Sequence, residues 1–203
     1  DMLNQGKTYI RHIPDSLIKS FIDGAFEPTT DFSRLSEVDC ILICVPTPLT
    51  PSRDPDMSYI ESTCNALSEN MGTGQLIILE STTYPGTTRE LVKPILESRG
   101  KTAGKDFYLA YSPEREDPGS DTHDTPAIPK MVGGLDQTSL ELAATLYAQI
   151  IEQIVPVSST DVAEAAKILE NIYRSVNISL VNEMKMLFDR LDINIWEVIS
   201  AAS

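Results

Sequence analysis

The sequence predicts an α/β protein, with a doubly wound parallel sheet followed by one long helix. Across residues 40–157, short apolar runs of strand length alternate with amphipathic stretches of helix length. Such alternation is typical of strands joined by right-handed helical crossovers, which place helices on both faces of a parallel sheet. The second observation is an unbroken helical pattern from Thr160 to Leu191, with apolar residues three and four positions apart.

Each expected element is bounded by residues that interrupt its pattern. The first apolar run ends at Pro46, and Gly72 and Gly74 separate a helical stretch from the next strand. The expected strands are Cys40–Val45, Gln75–Leu79, Phe107–Tyr111, Lys130–Val132 and Ile154–Val157. The expected helices are Met57–Met71, Arg89–Ser98, Gln137–Ile151 and Thr160–Leu191, and a short apolar segment, Ile193–Ala202, follows. The strands are short enough to be buried on both faces.

The long helix is expected to begin at Thr160 as its N-cap, with Asp161 in the first turn, where the helix dipole favours an acid. At about 1.5 Å per residue it extends roughly 45 Å, which is longer than a compact domain is wide. A helix of this length usually joins two domains or two subunits.

Composition excludes several classes of partner. The chain has 203 residues and a formal net charge of −14, so it is a poor match for the phosphate backbone of nucleic acids. It contains no apolar run of about 20 residues, so we expect no membrane span, and its polar start does not resemble a signal peptide. The three cysteines form no C-x-x-C pair and are expected to be buried in a reducing compartment, and the two histidines predict no metal site.

Polar residues follow three of the expected strands, in the segments VPTP, ESTT and YSPE. The carboxyl ends of parallel strands meet at one edge of a sheet, where ligands bind. Lys167 and Asn171 are four residues apart and therefore share one face of the long helix. Together with Thr82 and Glu114 they supply a positive charge, an amide, a hydroxyl and a carboxylate, a set that can stabilise an alkoxide and orient a water molecule. The alternative, a solvated helix face and ordinary turn residues, stays open for each residue alone.

The ordered set of motifs resembles the UDP-glucose/GDP-mannose dehydrogenase family, whose members use NAD to oxidise the C6 alcohol of a nucleotide sugar to a carboxylate in two hydride transfers. The motifs are LNQGKTYI, CVPTPL, ESTTYPGTT, YSPEREDPG, KMVGG and AEAAKILENIYRSVNISLVNE. The form SPEREDPG is similar to the branch that acts on UDP-N-acetylhexosamines, in particular UDP-N-acetylglucosamine. The resemblance implies a cytoplasmic enzyme that supplies precursors of surface polysaccharides.

The resemblance also implies a role for individual residues. NAD contacts would fall on Val45, Pro46, Thr47, Ser81 and Thr82, and Thr82 would also lie near the catalytic water.

For the sugar, Glu114 matches the family's water-activating glutamate, Lys167 the lysine that assists alcohol deprotonation, and Asn171 the amide that shares the oxyanion. Arg115 and Glu116 would lie beside the sugar.

The family's organisation implies a partial Rossmann-type NAD-binding domain at residues 1–158 and the start of a helical dimerisation domain at residues 159–203, which would form a homodimer through the long helix. The family's glycine-rich phosphate turn does not precede LNQGKTYI, and none of the three cysteines has the sequence context of the family's nucleophile. We therefore expect this 203-residue polypeptide by itself to be inactive.

Two other functions remain open. A β-hydroxyacid dehydrogenase also uses a Lys/Asn pair on such a helix, but it oxidises its substrate in one step and has no need of the carboxylate at Glu114. A noncatalytic helical dimerisation module would need none of Lys167, Asn171, Thr82 and Glu114.

Overall fold

A computed structural model describes residues 2–10, 13–22, 26–114 and 127–202. Five strands of these residues form one sheet in the order β1-β2-β3-β4-β5. The strands are β1 (Cys40–Ile43), β2 (Gln75–Leu79), β3 (Phe107–Tyr111), β4 (Lys130–Gly134) and β5 (Ile154–Val157). The sequence predicts β2, β3 and β5 with these bounds, whereas β1 ends two residues earlier than expected and β4 two residues later.

Apart from the first, which was not predicted from the sequence, the helices follow the expected order. They are α1 (Asp15–Ile22), α2 (Ser58–Asn70), α3 (Lys93–Glu97), α4 (Gln137–Tyr147), α5 (Thr160–Arg190) and α6 (Ile195–Ala202), with 3₁₀ turns at Leu3–Gln5 and Phe32–Glu37. A π-helical turn, Thr88–Val92, leads directly into α3. The expected single helix over residues 89–98 is therefore two kinds of helix in succession, and α4 ends four residues before Ile151.

The sheet is mixed rather than wholly parallel. Strands β1, β2 and β3 are parallel, and so are β4 and β5, but β3 and β4 are antiparallel and pair only through Ala110 with Gly134 and Tyr111 with Gly133. The expectation of an all-parallel sheet is wrong at this junction, because an apolar run records the burial of a strand and not its direction. The start of β4 consequently lies beyond the carboxyl end of β3.

Helices cover both faces of the sheet, as predicted. On one face, α2 and α3 pack against the sheet around Ile60, Leu96 and Leu109, and Ala163 of α5 joins the same cluster. On the other face, α4 contributes Ala143 and Tyr147 to a second cluster. All five residues of β2 are buried, so β2 lies at the centre of the core.

The N-cap of helix α5 lies one residue before the expected one. Ser159, not Thr160, caps it, since the Ser159 hydroxyl accepts a hydrogen bond from the N–H of Val162 at 3.2 Å and Thr160 is already helical and buried. Gly133 of β4 permits this start, because a Cβ on Gly133 would lie 2.3 Å from the carbonyl oxygen of Ser159. The helix start and β4 are therefore in direct backbone contact.

Two of the three cysteines are exposed, which contradicts the expectation that all are buried. Cys40 and Cys44 share one side of β1 with Leu42, which is 46% exposed, whereas Cys64 is buried under the sheet. Alternate residues of a strand face opposite ways, and this side of β1 is left open. Among the residues that the model describes, no cluster of acids, histidines or cysteines is suited to a metal ion, and no helix is long and apolar enough to cross a bilayer.

Candidate active site

The three parallel strands end level with one another. Ile43 pairs with Leu79, and Leu79 pairs with Tyr111, so the loops after β1, β2 and β3 leave the sheet side by side. These loops carry the segments VPTP, ESTT and SPE that the sequence singles out. The carboxyl rim of the sheet, defined here as residues 44–48, 80–83 and 112–114, is therefore one continuous surface.

The first two loops of the carboxyl rim are joined by hydrogen bonds. The Val45 N–H donates to the Ser81 hydroxyl at 3.0 Å, and that hydroxyl donates to the Val45 carbonyl at 2.7 Å. The Thr47 hydroxyl donates to the Thr82 carbonyl at 2.8 Å. Four of the five residues expected to contact NAD are thus brought together, while the fifth, Pro46, is exposed beside them.

The hydroxyls of Ser81 and Thr82 are in different situations. Ser81 is 6% exposed and its hydroxyl is engaged with the backbone of Val45, so its effect on a ligand is to fix the shape of the loop. The side chain of Thr82 is exposed on the carboxyl rim. Of these two hydroxyls, only that of Thr82 is accessible to a molecule bound at the carboxyl rim.

Helix α5 meets the carboxyl rim at Lys167. The Lys167 ammonium donates a hydrogen bond to the backbone oxygen of Glu114 at 2.5 Å, three residues beyond the end of β3. The Glu114 side chain is exposed, and Asn171 is exposed one turn further along the helix. The structure thus joins Lys167 to the loop of Glu114, while Arg115 and Glu116 lie outside the described residues.

An open groove of about 450 Å³ begins at Lys167 and follows α5. Residues that line it include Ile128, Lys167, Glu170, Tyr173, Arg174 and Asn177. The sequence analysis did not single out Arg174, although it lies seven residues after Lys167 and seven residues make two helical turns. That spacing could have indicated a second cation on the same face of the helix.

A second group that the sequence did not predict is a polar cluster around Glu80 of the carboxyl rim. The Lys130 ammonium lies 2.9 Å from Glu80 Oε1, and both side chains are only 13% exposed. The Tyr147 hydroxyl donates to the same carboxylate oxygen, and the Cys44 thiol donates to Glu80 Oε2 at 3.3 Å. The Lys130 ammonium also lies 4.7 Å from the centre of the Tyr147 ring.

The ionisation of this cluster follows from its surroundings. Burial by itself raises the pKa of Glu80, but hydrogen bonds from Tyr147 and Lys130 outweigh it, so the pKa lies below the ordinary value of 4.5. Burial, together with the Glu80 carboxylate, raises the pKa of the Tyr147 hydroxyl and raises the pKa of the partly buried Cys44 thiol to about 12. Cys44 is therefore a neutral thiol near neutral pH and a poor nucleophile.

Comparison with known proteins agrees with this geometry. An open α/β sheet with polar loops at its carboxyl rim is typical of nucleotide-binding proteins. Residues 1–151 match the UDP-glucose/GDP-mannose dehydrogenase family, NAD binding domain, and residues 161–203 match the central domain of the same family. The chain therefore belongs to the UDP-glucose/GDP-mannose dehydrogenase family, and its dinucleotide is NAD.

Individual relatives show the same assignment. Over 178 residues the chain is 39% identical to Protein CapL of Staphylococcus aureus, and the match covers 87% of this chain and 42% of that protein. Over 176 residues it is 38% identical to the UDP-N-acetyl-D-glucosamine 6-dehydrogenase of Salmonella typhi, covering 86% and 41%. The solved structure of the UDP-D-ManNAc dehydrogenase of Pyrococcus horikoshii superposes with a TM-score of 0.89 at 34% identity, and the match covers 99% of this chain and 49% of that one. The chain spans less than half the length of these relatives.

Proposed function

We propose that the protein carrying this chain is an NAD-dependent dehydrogenase that oxidises the C6 alcohol of a UDP-N-acetylhexosamine to the uronate. The observation that carries the proposal is the contact between Lys167 and the loop of Glu114, because it joins the helix with the candidate oxyanion groups to the carboxyl rim, where the residues expected to contact NAD lie. Membership of the dehydrogenase family supports the same reaction.

The overall reaction removes two hydrides from the alcohol carbon and adds the oxygen of one water molecule. When NAD is bound, it accepts the hydride in each step. Lys167 and Asn171 would stabilise the negative charge that develops on the C6 oxygen, and preorganised donors of this kind each lower a barrier by about 3 kcal/mol. Glu114 and Thr82 would orient the water, and the Glu114 carboxylate would take up its proton.

The surface of the site suits the nucleotide part of such a substrate. The protein has a formal net charge of −14, so a diphosphate needs local cations. Lys167 and Arg174 both line the groove along α5, and an arginine fork binds phosphate oxygens in pairs. We infer that the groove holds part of the UDP-sugar.

Among UDP-N-acetylhexosamines we favour UDP-N-acetylglucosamine. The segment SPEREDPG and the identity with two UDP-N-acetyl-D-glucosamine 6-dehydrogenases, 38% and 36%, support this substrate. The second candidate is UDP-N-acetylmannosamine, because the Pyrococcus horikoshii structure with that specificity in its name superposes on 99% of the chain. The product would be a precursor of surface polysaccharide, made in the cytoplasm.

We further propose a homodimer that forms through α5. Apolar side chains on this helix are exposed, including Leu169 (67%), Ile172 (54%), Val176 (59%) and Leu180 (57%). Several exposed apolar side chains on one helix usually mark a protein interface. In this proposal residues 1–158 bind NAD and residues 159–203 begin the dimerisation domain.

The test is an assay of the full-length gene product with each UDP-sugar and NAD. We expect two NADH per sugar consumed, whereas a β-hydroxyacid dehydrogenase would form one from a different substrate and a dimerisation module none. Lys167→Ala should lower kcat at least about 100-fold, because it removes transition-state stabilisation. The matched control is Lys185→Ala, which removes an exposed lysine of the same helix that pairs with Asp189.

Unchanged kcat in Lys167→Ala, or a stoichiometry of one NADH, would contradict the proposal. The same assay of the isolated 203-residue chain tests the prediction that it is inactive alone.

A further inference from the structure

Glu164 is a fully buried carboxylate in the second turn of α5, and the sequence analysis gave it no role. Its Oε2 accepts a hydrogen bond from the Gly86 N–H at 2.6 Å. Its Oε1 accepts hydrogen bonds from the Thr88 N–H at 2.8 Å and from the Thr88 hydroxyl at 2.7 Å. Burial raises the pKa of Glu164, while these bonds oppose the rise. Three donors around two oxygens match the ionised carboxylate.

The two N–H groups that Glu164 binds belong to the start of the helical segment after β2. The Glu90 N–H donates to the Gly86 carbonyl at 2.7 Å, which closes the first turn of that segment. The first N–H groups of a helix have no partner within it, and an anion there is favourable. Glu164 therefore caps this segment from another helix, 76 positions away from Thr88 in the chain.

The cap lies between two residues of the candidate active site. Thr82 comes four residues before Gly86 in the same loop, and Lys167 comes three residues after Glu164 on α5. Residues three apart on a helix are neighbours, with about 5–6 Å between their Cβ atoms. The bonds of Glu164 therefore link the loop that carries Thr82 to the helix that carries Lys167.

We propose that Glu164 is a positioning residue that fixes the separation between Thr82 and Lys167. This inference rests on the proposed function, in which both residues act on the same sugar carbon. A buried charge is a costly way to join two elements, but its bonds are directional and fix a geometry that an apolar contact leaves free to slide. A displacement of about 1 Å between reacting groups can cost 100-fold in rate.

The test compares two carboxylates that join the same elements. In the full-length gene product, Glu164→Gln retains size and one acceptor oxygen, but the amide NH₂ cannot accept from a backbone N–H. We expect kcat at least about 10-fold lower, with KM for NAD changed less than about twofold, after correction for the folded fraction. The control Asp161→Asn removes the exposed ion pair with Arg89, whose atoms lie 3.2 Å apart, and should leave kcat within about twofold.

A second pair of variants keeps the test decisive if Glu164→Gln does not fold. Thr88→Val removes only the hydroxyl bond to Glu164 and should lower kcat, and Thr88→Ser should restore it. The inference is overturned if folded Glu164→Gln has the kcat of the wild type, if only its Tm falls, or if Thr88→Ser is no better than Thr88→Val. A wild-type protein that reduces no NAD with any UDP-sugar rejects the proposed function first, and the positioning role with it.

Discussion

Ser81 and Val45 hydrogen-bond to each other in both directions, so that one buried hydroxyl locks the loop after β1 to the loop after β2. We expect Ser81→Ala to lower the free energy of unfolding by about 1 kcal/mol, because it leaves the Val45 N–H without its partner. We also expect a higher KM for NAD than in the wild type, with kcat less affected. Thermal unfolding and initial-rate kinetics of the full-length gene product measure both effects.

The control for that variant is Ser98→Ala, which changes an exposed serine at the end of α3 and should alter stability by less than about 0.5 kcal/mol. A lower Tm with an unchanged KM for NAD would show that the Ser81 bonds serve stability alone.

Loss of one partner of the ion pair between Glu80 and Lys130 should lower the stability of the protein. Lys130→Met leaves the Glu80 carboxylate nearly buried and without its cation, which we expect to lower the free energy of unfolding by about 3 kcal/mol. The double variant Glu80→Gln with Lys130→Met should recover most of that loss. Urea unfolding measures both, and equal instability of the single and double variants would contradict the prediction.

An exposed ion pair provides the comparison. Arg99 pairs with Glu69, and the two side chains are 60% and 56% exposed. Arg99→Met should change the free energy of unfolding by less than about 1 kcal/mol, since such pairs contribute little.

Acid should destabilise the protein partly through Glu80. The pKa of Glu80 in the folded protein is below its ordinary value of 4.5, so the folded state holds the carboxylate ionised more strongly than the unfolded state does. This contribution is complete above about pH 4.5 and is lost as the pH falls through the lowered pKa. Urea unfolding should be measured between about pH 3 and about pH 6, a range that extends roughly one unit or more to either side of 4.5. As the pH falls through this range, the free energy of unfolding should decrease less steeply for Glu80→Gln than for the wild type. Parallel curves would exclude Glu80 as a source of acid sensitivity.

Glu114 should matter most for the step that consumes water. We expect Glu114→Gln to lower steady-state turnover about 100-fold, because a general base contributes at least that much, while the first NADH still forms in a rapid phase. Stopped-flow absorbance of NADH separates the two phases, and Glu141→Gln on the exposed side of α4 is the control. Loss of the rapid phase as well would assign Glu114 to the first oxidation or to binding.

The apolar face of α5 should control the oligomeric state. We expect Leu169→Glu to dissociate the proposed homodimer, because it places a charge within an apolar interface. Ile150→Glu is the matched control, since Leu169 and Ile150 are both 67% exposed but Ile150 lies just after α4. Sedimentation equilibrium distinguishes the two, and a dimer that survives Leu169→Glu would reject the interface on this helix.

Much of the fold was readable from local pattern. Strands β2 and β3 have the predicted bounds because a buried apolar run is interrupted sharply by glycine or by polar residues. Strand β5 is only partly buried, but its apolar run is likewise bounded by polar residues. The direction of β4 was not readable, since two pairs of backbone partners at Gly133 and Gly134 decide it. The choice of Ser159 over Thr160 as N-cap likewise depends on the close approach of Gly133, which no local signal records.

Some residues of the candidate site could likewise be predicted from the sequence, and others could not. Residues placed by topology, such as Val45 with Ser81, were predictable because parallel strands end together. The partners of Glu80 and Glu164 were not predictable, because each bond joins residues far apart in the chain and no local pattern identifies the partner. The exposure of residues Cys40 and Cys44 depends on which side of β1 a helix covers.

The backbone contact between Gly133 and Ser159 also has an evolutionary consequence. It anchors the origin of α5, so the number of residues from Ser159 to Lys167, nine, is fixed by the structure. Inserting or deleting one residue there would turn the ammonium by about 100° around the helix axis and shift it by about 1.5 Å. Length variation in descendants of this gene should therefore avoid that stretch and accumulate in loops whose ends lie outside it.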